Sequence, residues 1–94
     1  MRISYLAPNQ TVLHLEGREV FVSYETPIAE IKNGVISVRD GDSIDWPGRT
    51  VGKPPLCYSS TTSKYLCRFL DMEKKDIYKG IKDGTINVVK EIEI

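Results

Sequence analysis

Asn33-Gly34 constrains the fold more than any other dipeptide in this chain. Both residues accept the positive φ of a two-residue type I′ turn. Ile28 to Ile31 and Val35 to Val38 flank them as β-prone runs and are predicted to pair as a hairpin. The residues before it repeat the theme. Arg2 to Leu6, Thr11 to Leu15 and Glu19 to Tyr24 are β-prone runs. The turn signal Ala7-Pro8-Asn9-Gln10 and the tight connection Glu16-Gly17-Arg18 separate them. Val20, Val22 and Tyr24 alternate against Phe21, and Thr26-Pro27 interrupts or bends the run, because proline cannot donate to a ladder. Residues 1–39 therefore read as an antiparallel meander.

The next segment changes character. Residues 40–60 hold Trp46-Pro47-Gly48, Gly52-Lys53 and Pro54-Pro55, the punctuation of a long irregular loop. Loops of that length inside small domains are uncommon unless they carry function or lack order. Residues 61–82 read as helical. Thr61-Thr62-Ser63 offers capping hydroxyls, and Tyr65, Leu66, Phe69 and Leu70 form an apolar stripe at helical spacing. Asp71 is placed to cap a second helix whose stripe is Ile77, Tyr78 and Ile81, and Gly84 to end it. Residues 85–94 read as a last strand with Ile86, Val88, Ile92 and Ile94 on one face. The expected architecture is a single α+β domain over residues 1–94. It is a mostly antiparallel sheet of about five to six strands, with one or two short helices packed on one face.

Composition removes several classes of function. Thirteen Lys and Arg balance thirteen Asp and Glu, so no strong global field marks a nucleic-acid or membrane partner. One His and two Cys are too few for a Cys/His zinc cluster or a disulfide-dense scaffold. Cys57 and Cys67 read as reduced thiols rather than a bridge. No apolar run approaches the ~20 residues of a membrane span, and Arg2 is not followed by a leader-like apolar stretch. A cytoplasmic protein is expected.

The balance hides an asymmetry. Residues 1–47 carry four basic and seven acidic groups, whereas residues 48–82 carry eight basic and three acidic. The basic groups are Arg49, Lys53, Lys64, Arg68, Lys74, Lys75, Lys79 and Lys82. They fit the phosphates of a nucleic acid or nucleotide, an acidic protein surface, or the solvated face of a helix.

Catalytic chemistry is sparse. Gly48-Arg49-Thr50-Val51-Gly52-Lys53-Pro54 has three residues between its glycines where a phosphate-binding loop needs four, and Pro54 replaces the hydroxyl that binds magnesium. Asp40, Asp42 and Asp45 lack the Gly and Glu that a calcium loop requires. His14 sits in a β-prone run among Val12, Leu13 and Leu15 and reads as structural. No catalytic residue, metal ligand or cofactor is expected, and the chain reads as a non-enzyme. Five consecutive hydroxyl residues from Ser59 to Ser63 run into Lys64 at a helix start. Thr61, Thr62, Ser63 and Lys64 are therefore a candidate anion site, although capping needs only one hydroxyl.

Two segments, Ser23-Tyr24-Glu25-Thr26-Pro27-Ile28-Ala29 and Tyr58-Ser59-Ser60-Thr61-Thr62-Ser63-Lys64-Tyr65, stand together with Phe69-Leu70. This pattern resembles a family of short bacteriophage and prophage proteins of uncharacterised function. That family's strand reads Ser-Tyr-x-Thr-Pro-Val-Ala, and its turn into a helix reads Tyr-Ser-x-Thr-Thr-Ser-Lys-His. The match spans about residues 20–70. Tyr65 stands where that family usually carries His, and residues 40–57 are longer than its usual connection. The resemblance implies a phage-type accessory protein with a helix packed on a β-rich sheet, and it brings no catalytic residues.

The functional expectation is a non-catalytic binder or inhibitor of a host factor, with anti-phage defence as one possible target. Trp46, Arg49, Lys53, Tyr58 and Arg68 are the expected partner-binding residues, since Trp, Tyr and Arg dominate binding hot spots. The alternative is a nucleic-acid- or nucleotide-binding module built on residues 48–82. A homodimer through an exposed terminal strand is a further expectation.

Overall fold

The sheet takes its strands in chain order, so each hairpin lies beside the one before it. The computed structural model describes residues 2–40 and 60–94. The strands are β1 (Arg2–Ala7), β2 (Gln10–Leu15), β3 (Arg18–Ser23), β4 (Thr26–Lys32), β5 (Val35–Arg39) and β6 (Ile86–Val89). Helices α1 (Ser60–Leu70) and α2 (Lys74–Asp83) lie between β5 and β6. The first five strands form an antiparallel meander, and β6 joins β5 in parallel at the far edge. A parallel neighbour requires a crossover, and the two helices belong to it.

The turns follow residue chemistry. Asn33 and Gly34 take φ of 52° and 78°, the expected type I′ geometry. One reversal differs from the sequence reading. The chain reverses at Tyr24-Glu25, with φ of 50° and 75°, where the sequence reading placed no turn. The Tyr24 N–H donates to the Asn9 carbonyl at 2.9 Å and helps to hold this left-handed pair. Pro27 instead sits at a β-bulge: Phe21 pairs with Ala29 and Val22 with Pro27, which leaves Ile28 extra. A bulge tolerates the missing proline N–H. It also lets the consecutive residues Ile28 and Ala29 both be buried.

The register assigns residues to two faces. Val12, Phe21, Ala29 and Val38 form one row across four strands. With Leu66, Leu70, Ile77 and Ile86 they make the core beneath the helices. The stacked rings of Phe21 and Phe69, with centroids 5.7 Å apart, tie α1 to β3. On α2, a Cβ added at Gly80 would lie 2.6 Å from Ile86 Cδ1, so glycine lets this helix approach β6 closely.

Both helix ends are built by backbone. Asp71 takes φ of 55° and does not cap the second helix as expected. Its N–H donates to the Arg68 carbonyl and that of Met72 to the Cys67 carbonyl, so the pair closes α1 from its C-terminal side. Glu73 occupies the start of α2 without a side-chain cap. Gly84, with φ of 84°, ends α2 as predicted.

The C-terminal residues depart from the expected strand. Pairing stops at Val89. Residues 90–94 then pass beneath the face opposite the helices. Arg18 Nη1 donates to the Glu93 carbonyl and also pairs with Glu30 at 2.7 Å. Ile92 is buried, and Ile94 reaches a shallow groove of about 260 Å³ with Thr11, Leu13 and Val22. Three strand spacings of ~4.8 Å separate β6 from β3, a distance that five extended residues at ~3.3 Å each can cover.

Candidate functional site

Packing fixes the rotation of α1 and therefore what it shows to solvent. Thr62, Leu66 and Leu70, spaced four residues apart, are its buried positions. The Thr62 and Ser23 hydroxyls share a hydrogen bond of 2.8 Å in the interior. With this face held down, Thr61, Lys64 and Arg68 are exposed and Tyr65 lies half-buried on the flank. Lys64 Nζ stands 5.5 Å and Arg68 Cζ 5.3 Å from the Tyr65 ring centroid. Each cation–π contact is worth ~0.5–1 kcal/mol at an exposed site. No carboxylate among the described ion pairs engages either cation. The result is a half-buried ring, packed against the core, with two exposed cations 5.5 Å and 5.3 Å from its centroid.

The four residues of the expected anion site do not share one side. Thr62 faces Ser23 in the interior, and the Ser63 hydroxyl is buried without a partner. Thr61 and Lys64 alone remain on the exposed side. Of the expected partner-binding residues, Arg68 belongs to the α1 surface, whereas Trp46, Arg49, Lys53 and Tyr58 lie outside the described residues.

On α2, Lys74, Lys75, Lys79 and Lys82 are all exposed. Helical spacing sets Lys75, Lys79 and Lys82 opposite the buried Ile77 and Gly80. Carboxylates interrupt this charge: Glu73 pairs with Lys75 at 3.2 Å, and Asp71, Asp76 and Asp83 are also exposed. A groove of about 620 Å³ runs between the helices, lined by Cys67, Arg68, Met72 and Lys75 among others. Cys67 is an unbridged thiol at its edge. Burial pushes its pKa up, Lys74 pulls it down and Glu73 adds to the rise. Cys57 lies outside the described residues.

His14 is held at both ring nitrogens. Nε2 is 2.8 Å from Ser4 Oγ, and Nδ1 is 3.3 Å from Glu19 Oε2. The register brings these side chains together, since His14 pairs with Glu19 on β3 and with Arg2 on β1. The order hydroxyl–imidazole–carboxylate is one that nucleophilic catalysts use. Neither of the two grooves among the described residues includes these side chains. They cross-link three strands at the sheet surface. Among the described residues, no group of His, Cys, Asp and Glu is placed to hold a metal ion. No helix among them is long and apolar enough to cross a membrane.

The apolar stripe read from the sequence includes Tyr65, and Tyr65 does pack against the core. Its contact with Arg68 follows from the i, i+3 spacing on a helix, whereas the neighbouring Lys64 carried no such signal. The groove around Thr11, Leu13, Val22 and Ile94 had no such signal, because it forms only when the tail folds beneath the sheet.

A six-stranded, mostly antiparallel sheet with two helices defines a small α+β protein, with Lys64 and Arg68 set against the Tyr65 ring on α1. Residues 2–84 match the family described as "Family of unknown function (DUF8033)", and the chain belongs to that family. No curated protein and no solved structure matches the chain.

Proposed function

We propose that this chain is a non-catalytic binding protein that docks the outward face of α1 onto an acidic patch of a protein partner. The observation that carries this reading is the pair of exposed cations, Lys64 and Arg68, set 5.5 Å and 5.3 Å from the Tyr65 ring centroid. Tyrosine gives large contact area at small entropic cost, arginine gives directed hydrogen bonds, and both are enriched where binding energy concentrates. Both cations lie free of carboxylates among the described ion pairs and so keep their charge for a partner. The resemblance in the motifs around Ser23–Ala29 and Tyr58–Tyr65 extends the proposal. In that reading the chain is a phage-type accessory protein that acts in the host cytoplasm by occupying a host factor, with anti-phage defence proteins among the candidates.

The same geometry favours a second reading, single-stranded nucleic acid, because a base can stack on Tyr65 while Lys64 and Arg68 meet phosphates. Two observations weigh against it. Asp71, Glu73, Asp76 and Asp83 interleave with the lysines of the helical side. Lys75 is already taken by Glu73.

The experiment is a pull-down from host lysate washed at low and at about 0.5 M salt, with and without nuclease. Wild type and Arg68→Glu serve as baits. One protein retained through the salt wash, and lost with Arg68→Glu, is the expected result. Retention that disappears on nuclease treatment or follows a steep salt slope moves the assignment to nucleic acid.

A further inference from the structure

We infer that the free edge of β1 pairs antiparallel with β1 of a second copy of this chain, about a twofold axis at Ser4. This surface is distinct from the α1 face and does not depend on it. Among the described residues β1 is the outermost strand and pairs with β2 alone. Its other side meets no further strand among them and presents its backbone N–H and C=O groups as a template for another strand. Proteins blunt such edges with short strands, prolines, charges, bulges or a covering element. β6, at the opposite edge, is four residues long and lies beneath α2, with Ile86 against Gly80. β1 is six residues long, contains no proline and carries one charge, Arg2. Its bulge falls between Tyr5 and Ala7, which leaves Arg2 to Tyr5 regular.

The side chains on this edge are apolar and open. Ile3 is 41% and Tyr5 76% exposed, on the face opposite the helices, and Leu6 at the bulge is 36% exposed. Ile3 lies across from Leu13 and Tyr5 across from Thr11, so the patch continues into the groove that holds Ile94.

Self-complementarity identifies the occupant as a second copy. In a twofold pairing centred on Ser4, Ile3 lies opposite the partner's Tyr5 and Tyr5 lies opposite the partner's Ile3. The match repeats on both sides of the axis, as an isologous interface requires. Aromatic and β-branched residues directly opposed are a favourable cross-strand pair. Arg2, the one charge on β1, lies at opposite ends of the two paired strands, so no like charges meet across the axis. The formal net charge of zero removes long-range repulsion between copies. The pairing joins two six-stranded sheets and closes the β1 edges of both.

The test is sedimentation equilibrium across a wide concentration range, with wild type, Tyr5→Lys, Ile3→Lys and Val35→Lys. Tyr5 and Val35 are both at least half exposed, so neither lysine disturbs the monomer, and Val35 reports a similar change away from the edge. Circular dichroism melts confirm that each variant folds. The expected result is a wild-type dimer whose dissociation constant rises about tenfold or more with Tyr5→Lys and with Ile3→Lys. Val35→Lys should leave it unchanged. A wild type that stays monomeric at the highest concentration overturns the proposal. So does a dimer that tolerates both edge variants, because its interface then lies elsewhere.

Discussion

The two faces of one sheet are built from the same strands, yet they meet different fates. On the helix side, Phe21, Ile28, Ala29 and Val38 are sealed beneath α1 and α2. On the other side, five residues of tail cover part of the surface, and Ile3, Tyr5 and Tyr24 remain open. Val20 shows how local that cover is, since it belongs to the open face and is still fully buried near Arg18 and the tail. One face supplies most of the folding energy. The other leaves apolar area available for association.

The largest expected effect breaks the contrast directly. Phe21→Ala removes a buried ring stacked on Phe69 and should cost ~3–5 kcal/mol. Tyr5→Ala removes an aromatic residue of similar size from the open face and should shift stability by less than ~0.5 kcal/mol. Urea unfolding of the two variants side by side measures the difference. Equal losses would show that the open face is packed as well as the closed one.

Deleting residues 91–94 comes next. It removes buried Ile92 and the Glu93 carbonyl that Arg18 reaches, at ~2 kcal/mol. Amide hydrogen exchange should then quicken at Val20 and Glu30 while Phe21 stays protected. A uniform loss of protection would mean that the tail belongs to the main core.

Ser23→Ala sharpens the helix side, because it removes one buried hydrogen bond to Thr62 and should cost ~1 kcal/mol of unfolding free energy in urea. In a double-mutant cycle Ser23→Ala and Thr62→Val should cost less together than the sum of their separate losses, and additive losses would argue against the paired hydroxyls. The smallest effect concerns Cys67, whose pKa is raised chiefly by burial. The fold favours its neutral thiol. That contribution is present below the ordinary value of 9.0 and is lost as pH rises through the higher folded value. The stability difference between wild type and Cys67→Ser should therefore be flat at neutral pH and change only in alkali.

What was legible in the sequence follows from how local each cause is. The Asn33-Gly34 hairpin and the Gly84 helix end rest on residues that suit positive φ, so they were read correctly. The Tyr24-Glu25 turn was missed because neither residue advertises a left-handed conformation, while Pro27 two residues on does advertise a break. The tail was misread because Ile86, Val88, Ile92 and Ile94 carry strand alternation, and nothing local says that pairing stops at Val89. The Ser23–Thr62 contact joins residues 39 apart in sequence. No motif at either end foretells it, and it turns one member of the expected anion site inward. The alternation along β1 was visible, but which side of it stays open depends on where the helices and tail come to rest.

The central claim is that partner binding uses the outward face of α1 and leaves the open face of the sheet aside. Hydrogen exchange of this chain, free and in complex with the captured partner, tests it most directly. The account predicts slowed exchange within residues 64–68 and no change at residues 11–13 and 20–24. Slowed exchange along residues 11–13 and 20–24 with residues 64–68 unaffected would contradict it and move the binding surface to the open face of the sheet.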